Sequence, residues 1–116
     1  MGQKILKKTQ NIKNDSRPRN FRNIKAWQFA DQLVLEIYTK TRTFPKEELY
    51  GLVSQIRRAA VSIPTNIAEG ASRSHIKEYL HFLFIARGSM AELEYLLNLS
   101  HRLNFLTKLD FLKLEA

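Results

Sequence analysis

The side chains of this sequence best equipped for chemistry are its cations, and they are unevenly placed. Lys4, Lys7, Lys8, Lys13, Arg17, Arg19, Arg22 and Lys25 stand within the first 25 residues against a single acid, Asp15, a balance of +7. Residues 26–116 carry eleven basic and ten acidic side chains, so nearly all of the net +8 belongs to the N-terminal segment. A concentrated run of Lys and Arg suits a polyanion, because each neutralised phosphate releases condensed counterions. These eight residues are the candidate contacts to RNA or DNA. The bland alternative is a solvated leader that keeps the protein soluble.

A second set of cations lies further along. Arg57 and Arg58 are adjacent, with Arg73 and Arg87 beyond them. Guanidinium forks match phosphate oxygens, which makes Arg57 and Arg58, with Arg73 and Arg87, a further candidate patch for phosphate contact in nucleic acid. In a nearly neutral body, ion pairing with Glu69, Glu92 or Glu94, within the chain or between copies, is the more economical use. Asn66 and Glu69 follow Pro64 closely. Asn66 can satisfy backbone groups that a proline leaves without a donor, and Glu69 can pair with Arg73 four residues on.

Catalytic constellations are lacking. His75 and His81 are six residues apart, which puts them on different faces of a helix, and His101 is distant. Helical metal ligands need a spacing of three or four, so no metal site is expected. There is no cysteine, hence no disulfide, thiol nucleophile or Cys-rich zinc site. No glycine-rich phosphate loop or nucleophile elbow is present. The expectation is a non-enzymatic protein without a cofactor. Trp27 and the four tyrosines read as packing groups with a polar edge.

The elements that must position these residues are helical. At 116 residues the chain has room for one domain, and four Gly and three Pro are too few for an all-β fold. Residues 1–20 are polar and basic and read as a disordered arm; residues 21–116 read as an all-α bundle. From Ile24 a stripe runs through Trp27, Ala30, Leu33, Val34, Ile37, Tyr38, Thr41 and Phe44, closed by Pro45. A second helix starts at Lys46 with the stripe Leu49, Leu52, Val53, Ile56, Ala60, Ile63 and Ile67. Pro64 is expected to kink it, and Gly70 to mark its end or a loosened last turn. The third helix, from about His75 to Leu103, is capped by Ser72 or Ser74 and is apolar on two sides: Tyr79, Leu83, Ala86, Met90, Leu93 and Leu97 form one stripe, Leu80, Phe84, Ile85, Leu96 and Leu99 another. A helix apolar on two sides must be buried on two sides, which predicts self-association, with Gly88 and Ser89 permitting close approach of another helix. A short fourth helix, capped by Thr107, completes the set. No segment reaches the roughly 18 apolar residues of a membrane span, and the N-terminus lacks a signal-peptide core. A cytoplasmic location is expected.

The order of motifs resembles a known family. Trp27-Gln28-Phe29-Ala30, Phe44-Pro45, Gln55 through Pro64, Asn66-Ile67-Ala68-Glu69-Gly70 and Ile85 through Leu93 together are similar to the bacterial 23S rRNA intervening-sequence proteins, a family that also includes the accessory variability proteins of diversity-generating retroelements. The resemblance implies an antiparallel, up-and-down four-helix bundle assembling as a homopentamer. It assigns Asn66, Glu69 and Gly70 to a structural family motif. It implies a binding role, with RNA or a reverse transcriptase as partner, and no catalysis. The near-neutral body favours the intervening-sequence branch. Family members usually carry a longer fourth helix and a shorter, less basic lead-in.

Overall fold

The computed structural model describes residues 19–115. Lys4, Lys7, Lys8, Lys13 and Arg17, with all of the expected arm except Arg19 and Asn20, lie outside the described residues. The described chain is all-α. A 3-10 turn at Phe21–Asn23 leads into α1 (Lys25–Thr41), followed by α2 (Ser54–Ala71), α3 (Ile76–Arg102) and α4 (Lys108–Glu115). Helix α2 packs most extensively on α3 and also on α1, and α4 touches α3 and α1. Ile37 of α1, Ile56, Ile63 and Ile67 of α2, and Tyr79 and Ser100 of α3 are almost wholly excluded from solvent.

The first helical stripe lies where its spacing puts it. Ala30, Ile37 and Thr41 are buried, while Tyr38 stays partly exposed. The helix stops at Thr41, and Phe44 is buried in the following turn against the ring of Phe105, 5.7 Å away. The Thr41 hydroxyl donates to the carbonyl of Ile37 at 2.7 Å, so this buried polar group is satisfied within its own helix.

The start of the second helix differs from the sequence expectation. Lys46–Glu48 form a 3-10 turn and Leu49–Val53 a wider π-turn before α2 begins. Glu48 stands at the head of the wide turn, where its carboxylate accepts from the Leu52 amide at 3.4 Å. A π-turn inserts one residue into the helical count. That insertion rotates Leu49 out into solvent and Tyr50 to 93% exposure, while Leu52 and Val53 still enter the core. A stripe read at constant helical spacing cannot show such a shift of phase.

Pro64 does not interrupt α2, which continues to Ala71. A proline in mid-helix leaves the carbonyl four residues earlier, Ala60, without its usual donor. Asn66 does not serve that carbonyl; its amide donates to the Ser62 carbonyl at 2.7 Å and to the Ser62 hydroxyl at 3.0 Å. Ser62 in turn meets Ser89 of α3, Oγ to Oγ 2.7 Å, and Ser89 bonds the carbonyl of Ile85. This small polar chain fixes α2 against α3 at mid-length.

Gly70 lies in the last turn of α2, one residue before its end, but not as a left-handed cap. It has no positive φ, the helix passes through it, and Ser72 is the C-cap. Its role is proximity: a Cβ there would lie 2.8 Å from the Phe82 Cβ and 3.0 Å from Tyr79 Cδ1. Gly88, expected to allow close approach, is open in the single chain, where a methyl on its Cα would meet nothing within 4 Å. The caps of α3 also differ. Ser72 bonds back to the carbonyl of Glu69, and His75 occupies the N-cap position without a side-chain bond. The C-terminal end of α3 turns on Asn104, whose φ of 65° is a left-handed conformation that asparagine tolerates. Thr107 caps α4 as expected, accepting from the Asp110 amide at 3.1 Å.

Candidate nucleic-acid interface

The described end of the charged segment is anchored to the bundle at Arg19. Arg19 donates from its backbone amide to the carbonyl of Ala71 at 3.0 Å, and from Nη1 to the carbonyl of Arg73 at 2.6 Å. Its guanidinium lies 4.5 Å over the ring of Tyr79. The last turn of α2 has no cation of its own. Arg19 therefore brings a positive charge from 54 residues away to the negative end of that helix, where cations stabilise. The buried Nε and Nη2 have no partner within the described chain, so this contact is not a relaxed surface pairing. Burial raises the Tyr79 hydroxyl above its ordinary pKa, and the neighbouring Arg19 charge pulls part of the way back.

Around this anchor the cations and rings alternate. Asn20 caps the 3-10 turn by accepting from the Arg22 amide. Arg22 lies 4.6 Å over the Phe21 ring, which meets Trp27 edge-on at 5.0 Å. Gln28 holds the carbonyl of Arg22 at 2.8 Å. On the far side of Arg19, Arg73 lies 4.9 Å over Phe82, and Phe82 meets His81 edge-on at 5.8 Å. Arg22, Lys25, Arg73, Lys77 and His81 are exposed.

Of the residues singled out by sequence, Arg19, Arg22 and Lys25 thus stand at one corner of the bundle, formed by the start of α1, the end of α2 and the start of α3. Arg57 and Arg58 do not join them. Arg57, at the opposite end of α2, donates from Nε to the Thr41 hydroxyl at 3.0 Å and stacks 4.5 Å over Tyr38. Arg58 is exposed one position on. None of Arg57, Arg58, Arg73 or Arg87 pairs with Glu69, Glu92 or Glu94 within the described chain; the ion pair seen there is Lys40 to Asp110 at 3.0 Å. Arg73 prefers the face of Phe82 to the carboxylate of Glu69, and Arg87 lies 5.3 Å over Phe84. Arg73 was a sequence candidate for phosphate contact, grouped with Arg57, Arg58 and Arg87, but the fold parts it from Arg57; Lys77 and Phe82 were not candidates. An Arg just past a helix end and an aromatic one turn into the next is a faint signal that only the fold makes meaningful.

The sequence profile of the family described as 23S rRNA-intervening sequence protein matches residues 22–116. The chain belongs to that family. No curated protein matches it. All five motif segments of the resemblance fall inside the matched region, whereas Lys4 to Arg19 precede it. Members of the intervening-sequence family are not known as enzymes. The described residues hold no cluster of three metal-binding side chains, and no helix among them is long and apolar enough to cross a membrane. Among the described residues, an open groove of about 450 Å³ between α1 and α4 is lined by Gln32, Leu35, Glu36, Thr39, Lys40 and Leu114.

Proposed function

We propose that this intervening-sequence family protein is a non-enzymatic, oligomeric, cytoplasmic bundle that binds RNA through its basic N-terminal segment. The observation that carries the reading is the segregation of charge: +7 in residues 1–25 against near-neutrality in the rest. A charge gathered in one segment serves phosphate neutralisation better than it serves solubility, which scattered surface charge achieves equally well. On a single strand each phosphate contact contributes about 0.7 to the slope of log affinity against log salt. Removing residues 1–18 deletes five cations while leaving Arg19 in place. The truncated protein is expected to bind single-stranded RNA more weakly, with a slope shallower by up to about 3.5. Equal affinity and equal slope in the two proteins would sink the role of the arm.

Self-association is supported by the outward face of α3. Phe84, Gly88, Ala91 and Tyr95 follow at steps of four, three and four, and all are exposed, Phe84 at 57% and Tyr95 at 58%. Large rings flanking two small residues form a seat for another helix. A homopentamer, as the family resemblance implies, joins unlike faces of successive copies into a closed ring. Light scattering on the eluting protein is expected to give about five times the 13.6 kDa chain mass. Tyr95→Glu should lower that mass without loss of helical content; a wild-type monomer would end the assembly reading. The same face fits a second reading, an accessory subunit of a retroelement reverse transcriptase, and a reverse-transcriptase gene beside this one would move weight to it.

A further inference from the structure

We infer that the corner around Arg19 is itself a binding surface for a single-stranded RNA segment, with Arg22, Arg73 and Lys77 contacting phosphate and the two ring-backed guanidiniums of Arg22 and Arg73 stacking on bases. This rests on the RNA-binding reading above and goes beyond the arm, because Arg73 and Lys77 lie 48 residues or more past its end.

Three observations support it. The first is charge. Arg19 is bonded to Arg73 at this corner, and Arg22, Lys25 and Lys77 stand exposed on the elements that form it, against Glu69 and Glu78, in a body whose overall balance is close to zero. The second is geometry. Arg22 and Arg73 each lie against a ring, at 4.6 and 4.9 Å, and both are exposed. A guanidinium backed by one ring offers its other face to a base and its N–H edge to a phosphate, which is how unstacked bases are gripped. Duplex RNA hides its base faces, so the arrangement suits a single strand. The third is continuity. Arg19, held by its contacts with Tyr79 and two carbonyls, is a positioning residue: it fixes the backbone that precedes Arg22 to the corner that carries Arg73. His81, edge-on to Phe82 and one turn from Lys77, closes the far rim.

The test measures binding of a labelled oligouridylate and of an RNA duplex of equal length across a salt series, using the full chain, the chain lacking residues 1–18, the double variant Arg73→Ala/Lys77→Ala, and Arg73→Lys. Thermal unfolding of each variant shows that it folds; should the double variant be unstable, Lys77→Gln alone replaces it. The full chain should prefer the oligouridylate. The double variant should bind it about fivefold or more weakly, with a salt slope shallower by about 1.4. Arg73→Lys should keep the slope and still lose affinity, since charge is retained and the stacking plane is not. A double variant that matches wild type while the truncated chain loses binding would overturn the corner and leave the arm reading standing. A stronger preference for duplex would overturn the single-strand assignment. If the full chain binds neither RNA, the reading on which this inference rests falls with it.

Discussion

Gly70→Ala is expected to unfold at a lower temperature than the wild type, against the usual direction of a glycine-to-alanine change in a helix. Alanine is better than glycine in a helix interior by about 1 kcal/mol. Here the added methyl would sit 2.8 Å from the Phe82 Cβ and 3.3 Å from the Tyr79 carbonyl. Neither atom belongs to a flexible tip, so α2 and α3 must part, and overfilling of this kind costs about 1–3 kcal/mol. The clash outweighs the propensity, and Gly70→Val is expected to lose more. Each kilocalorie corresponds to about 4–8 °C in a domain of this size. Gly88→Ala would carry the opposite sign in an isolated chain. A methyl there meets nothing within 4 Å, so the isolated chain gains up to about 1 kcal/mol. A loss of stability or of assembled mass in Gly88→Ala would place a second copy against that face.

The larger loss is expected for Tyr79→Ala. Tyr79 is 1% exposed and packs where α3 meets Gly70. Truncating a fully buried aromatic costs about 3–5 kcal/mol through lost burial and the cavity left behind. It also removes the ring over which Arg19 lies at 4.5 Å. Arg19→Met alone forfeits the bond to the Arg73 carbonyl and the ring contact, but it removes two buried nitrogens that lack partners, so its cost should be smaller. The double variant, compared with both single ones by chemical denaturation, isolates the pair. A coupling of about 0.5–2 kcal/mol is expected for a desolvated cation over a ring. Strict additivity would mean that Arg19 is held by its carbonyls alone.

These two residues show where the sequence was legible. The stripe from Ile24 to Thr41 and the cap at Thr107 depend on neighbours three or four positions apart, and each is visible in the order of residue types; of the second apolar set on α3, Leu96 is buried and Leu80 and Leu99 pack against the same core, so only Phe84 and Ile85 face outward. Phe84 protrudes as the excess of apolar residues on α3 implied, whereas Tyr95, read from sequence as a packing group, is exposed at 58% in the single chain. The role of Gly70 depends on Phe82 across a helix boundary, and that of Arg19 on a carbonyl 54 residues away. Nothing local distinguishes Arg19 from Arg17 or Arg22, so the sequence could assign all three only to one basic arm. The π-turn at Leu49–Val53 escaped for a different reason: its extra residue changes the phase of the helix without changing the kinds of residue in it.

One detail of the corner equips the molecule for its own study. Trp27 is the sole tryptophan of the chain, half-buried with its ring edge-on to Phe21 at 5.0 Å, and the Arg22 guanidinium lies over that same Phe21 ring. Indole emission responds to polarity and to collisions with neighbouring groups, so any rearrangement of Phe21 and Arg22 alters its wavelength or intensity. The outward face of α3 contains no tryptophan. Light emitted at the corner and mass measured in solution therefore track two different surfaces of the unlabelled protein, and the order in which it captures a ligand and gathers its copies can be followed in a single titration.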